Sequence, residues 1–303
     1  MLGGPPVGMN SDHVLFVRSN DHTSLKNPLP AAWPDHVSMR CPTGSYTLTG
    51  VRRAAGAEPR HPRDALAAAL RNLVIGEPVT EELVAVYPLY ARTTLPDEPW
   101  GTLDAALRDG TFEIRDGKQT RRVEARNAGD RPVLLFAGEL LAGGHQDRIV
   151  VHDTRVPPGR AWADVAVYCA EPGRSVGRTD RFDAAPVLAP PDLRGLLAVD
   201  AGQPAVWAGI RRRLDALGVR SPTGSLRALY ASGPVPARVR ALAQRLGDLP
   251  TRDVRTVGVA YGSDRGLIAA ECFASNTLLC QAWPRVLAAA AAHAAVRLSL
   301  IHI

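Results

Sequence analysis

A chain of 303 residues with 46% hydrophobic and 22% charged residues has the composition of a globular protein, with room for one large domain or two small ones. Its formal net charge of +6 comes almost wholly from arginine, and the longest basic cluster is the three residues 211–213, so the charge does not indicate nucleic-acid binding. No apolar run reaches about 18 residues and no signal sequence is evident, which excludes a membrane span and favours a cytoplasmic protein.

The first 60 residues carry a weak pattern that prolines interrupt, and we expect an irregular N-terminal extension there. Two short segments of it, 13–17 and 45–51, have the composition of strands. Residues 61–297 are predicted to form a single α+β domain. The last six residues, LSLIHI at 298–303, depart from the Ala-rich pattern before them, and we expect a non-native tail.

The first half of the domain is predicted to be rich in β-strands. Helices are expected at 61–75 and 102–108. Apolar and β-branched runs between turn sequences predict strands at 82–90, 112–115, 121–126, 133–141, 148–151 and 163–169. Because these strands follow each other through short turns, an antiparallel sandwich or barrel-like core is expected.

The second half has a different apolar period. Residues 176–202 are polar and rich in proline, which predicts a loop. The apolar residues then recur at helical spacing, predicting helices at 203–217, 225–230, 236–246 and 283–296, with a hairpin at 255–273. The fold class is therefore α+β, with a helical C-terminal half packed on the β-rich core.

Two glycine-rich strand ends, in segments 138–148 and 167–175, carry charged residues that a buried strand has no packing reason to hold. Arginine binds phosphate or carboxylate in bidentate fashion, glutamate can accept from ribose hydroxyls or act as a general base, and glycine lets a ligand approach the backbone. These properties predict Glu139 and Glu171 as catalytic residues. The predicted ligand-binding residues are Gly143, Gly144, Gln146, Arg148 and Arg174, with Trp207 as a core residue or a stacking wall.

The same side chains have other possible roles. Glu139 could pair with Arg148, and Glu171 with Arg174, so that the charges pin two turns as a structural clasp. A metal site could use His145, Asp147, His152 and Asp153, but their spacing matches no ligand signature, and no metal is predicted. No P-loop and no complete G-x-G-x-x-G follows a strand, so no cofactor is predicted either. The serines and threonine of 221–225 indicate a helix cap.

Four segments carry a family resemblance: GELLAGGHQDR (138–148), VYCAEPGRS (167–175), AVWAGIRRRLDALGVRSPTGSL (205–226) and the late hairpin with its helix (256–296). They resemble the domain family named for its association with ADP-ribosylglycohydrolases and rhodanese-like phosphatases, over about residues 77–297. The resemblance implies a role in the metabolism of ADP-ribose or related NAD-derived nucleotides, with partner proteins of that metabolism. It carries over Glu139, Gln146, Arg148, Glu171 and Arg174, and it brings no mechanism.

Our leading hypothesis from the sequence is therefore a protein that binds or processes an ADP-ribose-like or NAD-derived nucleotide. In it Arg148 and Arg174 hold phosphate, Glu139 or Glu171 is the acid or base, and Gln146 orients the ligand. The alternative is a non-catalytic sensor or interaction module in which these residues form the clasp. A metal hydrolase is a third reading.

Overall fold

The computed structural model describes residues 15–17, 36–41, 44–49, 70–81, 84–93, 99–117, 119–174, 179–263 and 266–299. Its strands are β1 (Leu15–Val17), β2 (His36–Cys41), β3 (Gly44–Thr49), β4 (Leu73–Ile75), β5 (Val79–Glu81), β6 (Val84–Ala91), β7 (Gly101–Thr102), β8 (Phe112–Asp116), β9 (Arg122–Asn127), β10 (Val133–Leu135), β11 (Glu139–Gly143), β12 (Arg148–Val150), β13 (Thr154–Val156), β14 (Ala163–Cys169), β15 (Phe182–Leu188), β16 (Thr256–Ser263) and β17 (Gly266–Cys272). The described helices are α1 (Leu103–Arg108), α2 (Pro191–Ala198), α3 (Gln203–Ala216), α4 (Ala228–Ala231), α5 (Val235–Leu246) and α6 (Asn276–Ser299), with a 3-10 turn at Leu249–Thr251.

Two six-stranded sheets form the β-rich core, and the predicted α+β class is confirmed. The first sheet has the order β1-β17-β16-β6-β4, with β5 also paired to β6. The second has the order β15-β11-β12-β14-β9-β8, and all its pairs are antiparallel. An isolated bridge between Arg115 and Arg181 joins its two ends, so this sheet curls into a half barrel. A three-stranded sheet, β13-β10-β7, and the hairpin β2-β3 complete the strands described.

The long helix α6 is the core of the helical half. Its run of alanines from Ala288 to Ala292 is buried, which is typical of a helix that is covered on all sides. It packs on the first sheet and on α5, within a cluster that includes Val259, Leu242 and Trp283. The remaining helices, α2 to α4, cover one face of the half-barrel sheet.

Helix α6 begins earlier than the predicted range of 283–296. The hydroxyl oxygen of Ser275 accepts the backbone N–H of Leu278 at 3.2 Å, so Ser275 caps the helix. The side-chain amide of Asn276 donates to the carbonyls of Pro250 and Thr256. The helix is therefore about two turns longer at its N-terminus than predicted, and Pro284 lies inside it rather than in its first turn.

The loop predicted for 176–202 is wrong, because β15 and α2 lie within it. Pro186 is tolerated because β15 lies at the end of the sheet order, where a missing N–H need not break a ladder bond. Pro190 and Pro191 stand at the N-terminus of α2, where proline fits the first turn. Prolines that indicated a loop therefore mark a strand edge and a helix start.

Two other predicted elements differ from the structure. The predicted strand 133–141 is two strands in different sheets, because the chain turns at Gly138, whose φ is +88°. The predicted helix 61–75 is wrong at its end, where Leu73–Ile75 is a strand on β6; residues 61–69 lie outside the described part of the chain. In the predicted N-terminal extension, Leu15–Val17 pairs with β17. Of the predicted tail, 300–303 lie outside the described residues, and α6 runs through Ser299.

No helix in the described part of the chain combines the length and the hydrophobicity that crossing a bilayer requires.

Candidate functional site

Arg174 is the centre of a hydrogen-bonded cluster at one end of the half-barrel sheet. Its guanidinium donates to the carboxylate of Glu171 at 2.7 Å and to that of Asp147 at 3.0 Å. It also donates to the carbonyl oxygens of Gly144 and Gly143, at 3.0 and 3.1 Å. One side chain therefore holds the end of β14 against the turn that joins β11 to β12.

The chain segment 221–227 closes this cluster from a third side. Thr223 donates its hydroxyl to Glu171 at 2.7 Å, and Ser225 donates its hydroxyl to the fully buried Asp147 at 2.9 Å. A Cβ on Gly173 would lie 2.8 Å from the Cα of Thr223, so this close approach requires glycine. We call Asp147, Glu171, Arg174, Thr223 and Ser225 the clasp.

The clasp keeps Glu171 ionised. Burial alone would raise the pKa of Glu171, but the hydrogen bonds from Thr223, Arg174 and the backbone N–H of Asp147 outweigh it, and the pKa is lowered. Among the described residues, one oxygen of Glu171 accepts from Thr223 alone, whereas the other accepts from both Arg174 and Asp147. A carboxylate oxygen with one bond has room for a second donor.

A cleft of about 750 Å³ adjoins the clasp, within the range of 300–1,000 Å³ that is usual for small-molecule sites. Its lining includes polar and charged residues together with a glycine, namely Gly143, Asp147, Glu171, Arg174, Asp183 and Arg227. The remaining lining residues are mostly apolar: Ala142, Ala184, Ala185, Pro186, Val187, Tyr230 and Ala231. The cleft therefore brings together three of the predicted site residues, Gly143, Glu171 and Arg174.

The predicted catalytic residue Glu139 lies apart from this cleft. It is fully buried, where it forms an ion pair with Arg285 of α6 and accepts the backbone N–H of Phe136 at 3.0 Å. Burial raises the pKa of Glu139 to about 7, although Arg285 opposes the rise. The pair predicted between Glu139 and Arg148 is not formed. The geometry gives Glu139 no contact with the cleft, and its catalytic role stays a prediction.

Four further predicted residues also lie outside the cleft lining. Gly144 lies in the turn between β11 and β12, where its carbonyl oxygen accepts from Arg174. Gln146 donates to the backbone carbonyl of Glu171 at 3.4 Å, and Trp207 donates its indole N–H to the carbonyl of Cys169 at 3.1 Å. Trp207 is half-buried against the end of β14. A guanidinium nitrogen of Arg148 lies 3.7 Å from a carboxylate oxygen of Asp116.

The residues considered for a metal site have other partners. Asp147 belongs to the clasp, and His145 contacts Asp116 through its ring at 2.6 Å. Asp153 accepts the backbone N–H of Ala137 at 2.7 Å. Among the described residues, no three His, Cys, Asp or Glu side chains gather as ligands around one point.

Several residues of the site were missed by the sequence reasoning. Asp147 was considered only for a metal site, although it is the buried carboxylate of the clasp. Thr223 and Ser225 were assigned to a helix cap; Ser225 does accept the backbone N–H of Arg227 at 3.1 Å, but it also bonds Asp147. Several hydroxyls in the short segment SPTGSLR were the available signal.

Comparison with known proteins gives one match. The family model described as "ARG and Rhodanese-Phosphatase-superfamily-associated Protein domain" matches residues 72–299. No curated protein and no solved structure matches the chain. The match spans most of the chain and includes all the residues of the clasp and of the cleft lining, so the chain belongs to this domain family.

Proposed function

We propose that this member of the ARG- and rhodanese-phosphatase-associated domain family binds an ADP-ribose-like nucleotide in the cleft beside the clasp. The family name associates the domain with proteins of ADP-ribose-related systems, which favours a ligand of that class. The observation that carries the proposal is the lining of the cleft, which combines charged residues with apolar ones. A nucleotide sugar combines the same two chemistries, in its phosphates and hydroxyls and in its flat base.

Arg227 is the guanidinium best placed to meet phosphate. Its side chain is 55% exposed, and its one described ionic contact is with Asp147 at 3.6 Å. Arg174 is bound within the clasp and supplies positive charge and rigidity rather than free donors. Arginine meets phosphate oxygens through paired N–H groups, so Arg227 would contact the pyrophosphate.

The carboxylates of the cleft suit hydroxyl groups. Glu171, Asp147 and the exposed Asp183 line the same space as the two arginines. Such a mixed lining disfavours a bare inorganic anion and favours a ligand that presents both phosphates and ribose hydroxyls. The oxygen of Glu171 that accepts from Thr223 would also accept from a ribose hydroxyl, and the lowered pKa of Glu171 keeps it ionised for that role.

Tyr230 takes the place that the sequence reasoning gave to Trp207. It lines the cleft, and its hydroxyl donates to the carbonyl of Leu188 at 2.5 Å, which fixes the ring. Stacking of a base on an aromatic side chain is worth about 1–3 kcal/mol in nucleic-acid complexes. Pro186 and Val187 would complete an apolar surface for the base.

A second candidate function is a non-catalytic sensor or interaction module, acting with partner proteins of ADP-ribose metabolism. The observation that favours it is the clasp itself, because Arg174 donates four hydrogen bonds within the protein. In this case the polar cluster stabilises the end of the sheet, and the cleft carries no reaction. Ligand binding without turnover is compatible with both candidates, so binding is the property to test first.

Thermal shift with ADP-ribose, NAD and AMP tests the proposal. A ligand that binds only the folded state stabilises it by RT ln(1 + [L]/Kd), so the melting temperature of the wild type should rise with ligand concentration. Arg227→Gln and Tyr230→Ala should each reduce the rise, whereas Arg211→Gln, an exposed change on α3, should not. If none of the three nucleotides shifts the wild type, the proposal fails.

A further inference from the structure

Arg148 is a buried cation whose side chain donates no hydrogen bond to any of the described residues. Its side chain is only 8% exposed, yet among the described residues it makes no hydrogen bond. Its Nε is enclosed without a partner, and its nearest carboxylate oxygen, on Asp116, is 3.7 Å away. A buried guanidinium has five N–H donors, and leaving them unbonded is costly. A ligand that accepts hydrogen bonds would therefore find unused N–H donors on the guanidinium of Arg148.

His145 shares Asp116 with this guanidinium and is held in a fixed orientation. Both its backbone N–H and its ring Nδ1 contact the same oxygen of Asp116, at 2.7 and 2.6 Å. The imidazole is 56% exposed, and with Nδ1 held on the carboxylate its Nε2 is the ring nitrogen that remains for other partners. Asp116 is thus committed to His145 through one oxygen and faces Arg148 with the other.

The turn between β11 and β12 fixes the positions of His145 and Arg148. Gly144 has a φ of +51°, and a Cβ there would lie 2.3 Å from the ring of Phe182 and 2.7 Å from the carboxylate of Asp116. The turn is therefore packed directly against Asp116. The backbone of the turn therefore determines where the side chains of His145 and Arg148 begin.

Arg148, His145 and Asp116 are not among the residues that line the cleft. Arg148 is the cross-strand partner of Leu141, so the two side chains share a face, and Leu141 belongs to the core cluster that fills the half barrel. Of the residues that line the cleft, Ala142 and Ala185 belong to the cluster on the opposite face, whereas Ala184 pairs with Leu141 and packs on the same face as Arg148.

We propose that Arg148 and His145 form a second binding site, specific for a single oxyanion group such as a phosphate ester or a carboxylate. The guanidinium contributes a bidentate pair of N–H groups, and the imidazole contributes one contact through Nε2. Asp116 offsets part of the positive charge and holds both groups in place. Apolar side chains such as Val150 and Phe182 fill the half barrel behind Arg148, so the site takes a terminal group and not an entire nucleotide.

Titration with inorganic phosphate, and separately with acetate, tests this site in the full chain. The Nε–Hε signal of Arg148 and the ring signals of His145 are followed by NMR at constant ionic strength. Phosphate or acetate should shift both sets of signals together in a saturable manner. The tighter of the two probes identifies the oxyanion class. If neither probe shifts either residue, the proposal is overturned.

Variants distinguish binding at this site from general effects of added salt. Arg148→Lys keeps the charge but loses the bidentate donors, and it should weaken binding about tenfold. His145→Gln is an exposed change that leaves folding unaffected, and it should weaken binding by about threefold. Arg211→Gln should bind as the wild type does. If Arg148→Lys does not fold, unchanged affinity in His145→Gln is sufficient to overturn the proposal. Binding of ADP-ribose in the cleft should be the same in His145→Gln, so the two sites fail or succeed separately.

Discussion

Replacing Arg285 by methionine is the change that most directly probes the buried charges behind the sheet. Arg285 is 2% exposed, forms an ion pair with the fully buried Glu139, and lies 3.2 Å from Asp104. Removing one partner of a buried pair leaves an uncompensated charge and typically costs about 3–5 kcal/mol. We expect Arg285→Met to lower the free energy of unfolding by about that amount at pH 8.

The loss should depend on pH in a defined way. Glu139 has a pKa of about 7 in the folded state, above its ordinary value of 4.5, so its burial lowers stability as the pH rises through that window. Arg285 limits the rise, so without it the pKa of Glu139 should be higher still. The variant should then keep losing stability between pH 7 and 8, where the wild type levels off. One pKa unit is about 1.4 kcal/mol, so the difference between the two proteins should grow by about 1 kcal/mol over this interval.

Urea unfolding at pH 7 and pH 8 measures both effects, with Arg252→Met as the matched control. Arg252 pairs with Asp248 at 2.6 Å on the surface, with side chains that are 47% and 66% exposed, and such pairs contribute less than about 1 kcal/mol. Equal losses for the two variants, or a loss for Arg285→Met that does not change between the two pH values, would refute the reasoning.

Three further changes test the clasp and Glu139. Ser225→Ala removes the hydroxyl that bonds buried Asp147 and should cost about 1–3 kcal/mol in urea unfolding, against less than about 0.5 for the exposed Ser232→Ala; equal costs would contradict the hydrogen bond. Gly173→Ala should cost about 1–3 kcal/mol, because its Cβ would meet the backbone of Thr223 at 2.8 Å; an unchanged melting temperature would show that the contact is looser. Glu139→Gln should flatten the stability profile between pH 4.5 and 7, and an unchanged slope would mean that Glu139 does not titrate there.

The fold class and the family were predictable from sequence because both rest on patterns that are local. Runs such as VLLFAGELLAGG indicate buried strands wherever their partners lie. The predicted secondary structure was wrong where proline is compatible with more than one kind of element. In 176–202 it indicated a loop, whereas Pro186 lies on an edge strand and Pro191 begins a helix, and only the sheet order distinguishes these cases.

The candidate site was less predictable, because charge partners come from distant parts of the chain. Glu139 and Arg148 lie close together in sequence, but Glu139 pairs with Arg285, 146 residues away. Glu171 and Arg174 lie beside the turn at 143–147. The sequence could not show that Thr223 and Ser225 would reach the same carboxylates, because a cap and a clasp use the same hydroxyl groups.

A crystal structure of the protein grown with ADP-ribose is the most direct test of the proposed function. We predict that the pyrophosphate lies within hydrogen-bond distance of Arg227, a ribose hydroxyl meets Glu171, and the base lies against Tyr230. An empty cleft at a ligand concentration that raises the melting temperature, or a ligand bound elsewhere on the protein, would contradict the proposal.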